Sequence, residues 1–357
     1  MTVESSFVNK QSDARMDWID MAKGLGMLLV AIGHLLPEGS NIRMFIYSFH
    51  MPLFFVLSGI VYKNTSSSGF FKSRLFVSYL FFSVTFVIAD LLVRVLLLGK
   101  YEPSSIIWEV YQTISFYGIN VLWFVSTIIL CKWIMGKLLL IKNKLAIIGM
   151  VGVLFILTGW IGTFYTMSSE SYSIIRLALY FPILAILRPL NVLIFYVIGY
   201  FSKKYIIQVI QNRNTTGLVA IGVLILIIVW GLTPYCGNVD VHIMTYENIV
   251  LALFTGLSGS VAIIFICSFF QKCFTLTAYL RFCGKNSILF MVLHEYLFMS
   301  LIVNLILSAV HINNIILYIV GTIILTSLII YIIKDQVDYC LEYLSNKFLG
   351  NNIKTRS

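Results

Sequence analysis

The stretch from Trp18 to Gly59 reads WIDMAKGLGMLLVAIGHLLPEGSNIRMFIYSFHMPLFFVLSG. It contains two apolar runs separated by a short polar connection at about Pro37–Arg43, which predicts two membrane helices joined by a tight turn. The same stretch carries an aspartate, a lysine and two histidines. Ionisable groups inside a bilayer cost a few kcal/mol each on insertion scales, so their presence predicts a functional site in the membrane.

Composition extends this reading to the whole chain of 357 residues. Hydrophobic residues make up 59% and charged residues only 11%, whereas soluble domains carry about a quarter charged residues. Apolar segments recur from end to end, which predicts an all-α, polytopic transmembrane helical bundle forming one membrane domain. The net charge of +10 is explained by the positive-inside bias of membrane proteins, so no nucleic-acid partner is expected.

About ten crossings are predicted, because each needs about 20 mostly apolar residues. Their approximate ranges are 18–36, 43–62, 75–98, 119–140, 145–166, 190–201 with its flanks, 216–233, 247–270, 286–308 and 312–333. Pro182 and Pro189 interrupt the region before Tyr200. Since proline disrupts helix interiors, residues 172–187 are predicted to form a separate helix at the outer face.

The distribution of basic residues predicts that both termini are cytoplasmic. All but five of the 25 lysines and arginines fall on the inner side in this scheme; the five outside are Arg43, Arg94, Lys100, Arg176 and Arg188. The expected organisation is a cytoplasmic segment at 1–17, a membrane domain at 18–334 and a cytoplasmic tail at 335–357. The polar start shows no cleavable signal peptide, so the first helix is expected to direct insertion.

Lys23 and His34 are predicted to share one face of the first helix. Eleven residues rotate the helix by about 1100°, only about 20° past three turns, and separate the two side chains by about 16 Å along the axis. Asp20 is three residues from Lys23 and can pair with it. Three glycines on this helix allow close approach of a neighbouring helix or a ligand: Gly24, Gly26 and Gly33.

Two further histidines are predicted within the membrane. His50 lies near the outer end of the second helix, and the short connection places it at a depth comparable to His34. His294 lies in the ninth crossing. Each histidine also has a structural interpretation, a hydrogen bond to a neighbouring helix, and Lys23 can extend its ammonium group to the inner interface. The spacing does not favour a metal site, and Cys236 and His242 are interpreted as loop residues.

Several blocks of this sequence resemble the acyltransferase-3 family of integral membrane acyltransferases, which includes bacterial O-acetyltransferases of surface polysaccharides. The resemblance covers almost the whole chain in the family's order. The matching blocks are Lys23 to His34 with ten intervening residues, SFHMPLFFVLSG at Ser48–Gly59, FFKSRLFVSY at Phe70–Tyr79, LWF at Leu122–Phe124, FYVIGYF at Phe195–Phe201 and GKNSI…LH at Gly284–His294.

The resemblance implies transfer of an acyl group, most simply acetyl, from cytoplasmic acyl-CoA to a hydroxyl of a cell-surface or exported carbohydrate. Lys23, Lys72 and Arg74, with Arg281 and Lys285 as further candidates, would bind the CoA phosphates. The first candidate for a catalytic residue is His34 and the second is Lys23. His34 would act either as a general base or as an acyl-carrying nucleophile.

The resemblance also implies roles for the other histidines and for the surroundings of the protein. His50 would orient His34 or serve the acceptor, and His294 would polarise the acyl carbonyl or bind sugar. No metal is required. The implied location is the bacterial cell membrane, with membrane lipids, a carbohydrate or lipid-linked glycan and glycan-assembly machinery as partners.

Two departures from the family pattern and one alternative function remain open at this point. No extracytoplasmic hydrolase-like domain is expected after the last crossing, although some relatives carry one. Lys72 and Arg74 stand where some relatives have two arginines separated by two residues. The alternative function is a transporter or exporter of a glycan or lipid-linked saccharide, although the sequence lacks the self-similar halves typical of transporters.

Overall fold

The computed structural model describes residues 16–63, 73–98, 103–167, 174–212, 214–270, 274–295 and 299–349, which are almost entirely helical. The helices, numbered in chain order, are α1 Asp17–Leu35, α2 Asn41–Tyr47, α3 His50–Ile60, α4 Arg74–Leu98, α5 Pro103–Ile114, α6 Trp123–Leu138, α7 Lys144–Met167, α8 Ile174–Asn212, α9 Thr215–Cys236, α10 Ile249–Phe270, α11 Phe274–Lys285, α12 Ser287–Glu295, α13 Met299–Ala309 and α14 Ile315–Leu349. A short antiparallel hairpin of β1 Val239–Asp240 and β2 Thr245–Tyr246 connects α9 to α10.

Within the described ranges, nine helices are long and apolar enough to cross a membrane, or ten if α12 and α13 form one broken crossing. These two helices meet at an angle of 45°, at the position of the predicted ninth crossing. The predicted all-α polytopic bundle of about ten crossings is therefore confirmed. The final helix α14 has 35 residues, so its last turns extend well beyond the length that a bilayer core requires.

The prediction of a separate helix at 172–187 is wrong, because α8 runs without interruption for 39 residues through both prolines. Pro182 has no N–H to donate to the carbonyl of Ala178, four residues earlier. The Tyr111 hydroxyl of α5 donates to that carbonyl instead, at 2.6 Å. The helix thus continues because a neighbouring side chain satisfies the acceptor that proline leaves open.

Helix α1 lies at the centre of the bundle and packs against α10, α11 and α12 as well as α3. Its closest neighbour is α11, where Gly24 meets the carbonyl of Leu280 and Gly284 meets the carbonyl of Asp20. A Cβ at either glycine would overlap the opposing backbone. The predicted role of Gly24 in close helix approach is therefore confirmed. This crossing fixes where α1 presents its polar side chains.

We expect Gly24→Ala to destabilise the fold, since the added methyl group meets backbone that cannot rotate away. Overpacking of this kind costs about 1–3 kcal/mol. Thermal unfolding of the purified protein in detergent measures the effect, and Gly149→Ala in α7 is the matched control because its Cβ would meet open space. Equal melting temperatures for the two variants would contradict the close crossing of α1 and α11.

Tyr111→Phe is expected to destabilise the protein by about 1–3 kcal/mol, because it leaves the Ala178 carbonyl without a donor. The same substitution made in a Pro182→Ala background should cost much less, since the alanine supplies the backbone N–H that proline lacks. Thermal unfolding of the wild type, both single variants and the double variant tests this. Strictly additive effects would contradict the proposed exchange of donors.

Candidate active site

Four aromatic rings from four helices form a continuous row in the half of the bundle that the sequence predicts to be the outer one. His34 of α1 meets His294 of α12 with ring centroids 5.6 Å apart, in an edge-to-face arrangement. On its other side His34 lies 6.0 Å from the ring of Tyr47, which in turn lies 4.8 Å from the ring of His50. The structure therefore brings together the three histidines that the sequence singled out, and Tyr47 links two of them.

Backbone carbonyls define the tautomers of two of these histidines. Nδ1 of His50 donates to the carbonyl of Ile46 and Nδ1 of His294 to the carbonyl of Phe290, each at 2.9 Å. Because a carbonyl can only accept, Nδ1 carries the proton in both neutral rings and Nε2 is the acceptor. Both rings are buried. Each ring can therefore accept a hydrogen bond or a proton at Nε2 while Nδ1 keeps its hydrogen bond to the carbonyl.

Three rings of this row, those of His34, Tyr47 and His50, line a cavity of about 230 Å³, here called the histidine cavity. Its polar lining includes His34, Arg43, Tyr47, His50 and Asn120. Its apolar lining consists mainly of Met27, Val30, Phe54, Phe124 and Met291. A small, mostly apolar chamber with a few convergent polar groups is the usual form of a small-molecule site in a protein.

The far wall of the histidine cavity comes from the β1–β2 hairpin and from the start of α6, and includes Trp123, Asp240 and His242. The interpretation of His242 as a loop residue is therefore incomplete, because the hairpin folds back over the bundle and turns this ring inward. Its ring stacks on Trp123 with centroids 5.1 Å apart and planes 24° apart. Burial lowers the pKa of His242 well below its usual range, and the nearby Arg188 cation and His34 add to this effect.

Arg188 is among the residues that the sequence scheme places outside the membrane, but its side chain is completely buried behind this wall. Nε donates to the carbonyl of His242 at 2.7 Å and Nη1 to the carbonyl of Tyr117 at 3.0 Å. The guanidinium also lies over the rings of Tyr117 and Trp123, 4.8 Å and 5.1 Å from their centroids. One buried cation thus ties α8 to the hairpin and to the segment preceding α6.

A second opening, here called the inner groove, lies at the predicted cytoplasmic end and has a volume of about 690 Å³. Its basic lining residues are Arg74, Arg281, Lys285 and Lys334, and its acidic ones are Asp335 and Asp338. Arg74 pairs with Asp338, and Arg281 pairs with Asp17 at 2.6 Å. Helix α12 connects the two sites, since Ser287, Ile288 and Leu289 line the groove and Met291 lines the histidine cavity.

The predicted donor-binding residues are distributed unevenly. Arg74 and the two further candidates Arg281 and Lys285 line the inner groove. Lys23 is half-buried on α1 and belongs to the lining of neither site. Lys72 lies outside the described residues. Among the described residues no group of three or more histidine, cysteine, aspartate or glutamate side chains is arranged to hold a metal ion.

The sequence did not single out Tyr47, Trp123, Asp240 or Arg188 as site residues. Two of them stood inside or beside noted blocks, Tyr47 just before SFHMP and Trp123 within LWF. For Asp240 and His242 the available signal was a carboxylate and an imidazole two residues apart in a polar segment. Hydropathy does not reveal that such a segment folds inward.

Spanning helices that surround a cavity of imidazole and phenol groups define a polytopic membrane protein equipped for acid–base or group-transfer chemistry. The model of the acyltransferase-3 family, an acyltransferase domain, matches residues 16–334. The chain belongs to this family and is a multi-pass membrane acyltransferase. Comparisons with curated proteins and with solved structures gave no significant match.

Proposed function

We propose that this enzyme transfers an acetyl group from cytoplasmic acetyl-CoA to a hydroxyl of a cell-surface or exported carbohydrate. The observation that carries the proposal is the row of His294, His34, Tyr47 and His50. His34, Tyr47 and His50 of this row line a cavity that lies between a basic groove at one end of the bundle and a polar opening at the other.

The inner groove supports a nucleotide-bearing donor. Lys285 is exposed and Arg281 half-exposed at its rim, and guanidinium and ammonium groups form charge-assisted hydrogen bonds with phosphate oxygens. Lys285 also belongs to the GKNSI…LH block of the family resemblance, and Arg281 lies three residues before that block. Lys23 and Lys72 would add positive charge at the same predicted inner face.

The proposed path of the donor from the groove to the histidines runs along helices α12 and α1. Ser287 lines the groove and His294 meets His34, and their separation of seven positions corresponds to a rise of about 10 Å. A slender pantetheine arm lying along these two helices would carry its thioester to the histidine cavity. The phosphates would stay in the groove.

The small size of the histidine cavity favours a short acyl group. Its volume of about 230 Å³ is below the range of about 300–1,000 Å³ that drug-sized ligands occupy. An acetyl group and one hydroxyl-bearing carbon fit such a space, whereas a long acyl chain does not. Acetyl is therefore the proposed donor group.

The acceptor would enter from an opening of about 300 Å³, here called the outer vestibule. Glu38, Arg43, Asn238 and Asp240 line it, and its lining shares Arg43, Tyr47, Val239 and Asp240 with the histidine cavity. Carboxylate, amide and guanidinium groups offer the donors and acceptors that a polyhydroxylated acceptor needs. In a bacterial cell membrane with both termini inside, this opening would face the outer compartment, where glycan-assembly machinery would deliver the acceptor.

In the proposed reaction His34 removes the proton from the acceptor hydroxyl as its oxygen attacks the thioester carbon. A carbon–oxygen bond forms and the carbon–sulfur bond breaks. His34 then returns the proton to the departing thiolate, which leaves as free CoA thiol. General base assistance of this kind contributes about 10²–10⁴ in rate. Because Nε2 of His50 and of His294 accepts while Nδ1 carries the proton, these rings would bind hydroxyl groups of the carbohydrate.

His34→Asn should reduce acetyl-CoA consumption and acetyl transfer by at least about 100-fold, because the amide cannot take up a proton. Purified protein with acetyl-CoA and a carbohydrate acceptor, followed by CoA release and product mass, measures both. His311→Asn is the matched control. His311 is exposed in the turn before α14 with φ of 55°, a conformation that asparagine tolerates.

Full activity of His34→Asn would contradict the catalytic assignment. An acetylated histidine trapped by rapid quenching and detected by mass spectrometry would replace the general-base role with nucleophilic catalysis. Glycan movement across vesicles without any consumption of acetyl-CoA would contradict the proposed donor and favour the transport alternative.

Lys285→Ala is expected to raise KM for acetyl-CoA about fivefold with little change in kcat, since an exposed ion pair contributes up to about 1 kcal/mol. The effect should shrink at high salt, because added ions screen exposed charges. Initial rates at low and high ionic strength measure it, with Lys347→Ala as the control for an exposed lysine outside the groove. An unchanged KM would contradict donor binding at the inner groove.

A further inference from the structure

The lining of the histidine cavity includes an imidazole, that of His242, which the proposed reaction does not use. His242 lies in the β1–β2 hairpin, across the cavity from α1 and α3. Its backbone N–H donates to Oδ1 of Asp240 at 2.8 Å, and the N–H of Ile243 donates to the same oxygen at 3.4 Å. This side-chain-supported turn gives the hairpin a defined conformation and directs His242 toward the cavity.

Arg188 holds His242 from behind. Its Nε donates to the His242 carbonyl at 2.7 Å, while the whole guanidinium is buried. Burying a cation is costly unless hydrogen bonds and aromatic faces replace its hydration. Moving the hairpin away would leave this cation without one of its acceptors. The position of His242 is therefore coupled to one of the most strongly constrained groups in the protein.

The His242 ring is oriented by aromatic packing, and its hydrogen-bonding capacity is not fully used. The ring stacks on Trp123 and lies 5.5 Å from the ring of Tyr117. Nε2 is buried and has no hydrogen-bond partner among the described residues. An unsatisfied buried polar group costs about 1–3 kcal/mol. Because His242 as a residue lines the histidine cavity, a substrate there is a suitable partner for this nitrogen.

The surroundings of His242 favour the neutral ring. Burial lowers its pKa, and Arg188 on α8 and His34 on α1 act in the same direction. Asp240 belongs to the same hairpin, and burial raises the pKa of its carboxyl group. In such a site a neutral imidazole is difficult to protonate, but its N–H can still donate a hydrogen bond.

We propose that His242 is a catalytic hydrogen-bond donor that stabilises the negative charge developing on the acyl carbonyl oxygen during transfer. This inference rests on the proposed acetyl-transfer function and adds to it the group that would activate the acyl carbonyl. The carbonyl oxygen gains charge as the acceptor oxygen attacks and loses it as the carbon–sulfur bond breaks. The His242 N–H shares its proton throughout without giving it up. Loss of one such donor typically costs about 10²–10³ in kcat.

Two substitutions separate this role from a packing role. His242→Phe keeps an aromatic ring against Trp123 and Tyr117 but has no N–H, and His242→Gln loses the ring but keeps an N–H donor. We expect kcat for acetyl transfer to fall about 100-fold or more in His242→Phe and by no more than about tenfold in His242→Gln, with KM for acetyl-CoA nearly unchanged in both. Melting temperatures in detergent check that each variant is folded.

Full activity of His242→Phe would overturn the inference. So would a folded His242→Gln variant that is as inactive as His242→Phe, because the site would then need a ring nitrogen that accepts a proton. If His242→Phe does not fold, the activity of His242→Gln decides the question by itself. Failure of the proposed function has a different signature, since the wild-type protein itself would then consume no acetyl-CoA.

Discussion

Lipid offers no hydrogen bonds, so a polar side chain within the membrane-spanning bundle must find its partner in the protein or in a substrate. This constraint governs the site. His50 and His294 each use Nδ1 to bond the backbone carbonyl four residues earlier, which leaves Nε2 as the second bonding position. Because α1 crosses α11 at glycine contacts, His34 is held where it meets His294 and Tyr47. The polar ring row therefore depends on the close helix crossing.

The same constraint explains the unusual interior of the predicted outer end. Arg188 is buried, and two backbone carbonyls with two aromatic faces replace much of its hydration. Its Nη2 has no hydrogen-bond partner among the described residues. Through these contacts α8 determines where the hairpin closes the cavity. The two prolines of α8 fit this picture, since Pro182 leaves a carbonyl open that Tyr111 satisfies. Helix continuity, cavity shape and the position of His242 thus follow from how buried polar groups are satisfied.

The features that the sequence predicts are those that depend on the local spacing of residues and on hydropathy. The helical bundle follows from apolar runs, and the shared face of Lys23 and His34 follows from helix periodicity. The closeness of His34 and His50 follows from the short connection between their helices. Contacts between residues that are distant in the sequence could not be predicted in this way. No local pattern indicates that Arg188 turns inward, that His242 folds over the cavity, or that a tyrosine on another helix compensates for Pro182. The family resemblance marked the blocks that line the site but not the hairpin that closes it.

The proposed reaction requires that a donor bound at the inner groove brings its acyl end to His34 in the histidine cavity. The direct test is a cryo-electron microscopy structure of the protein with an acetyl-CoA analogue whose thioester is replaced by a non-cleavable ketone thioether. We expect phosphate density beside Arg281 and Lys285, and ketone density in contact with His34. Phosphates bound elsewhere, or an acyl end that stays outside the histidine cavity, would contradict it.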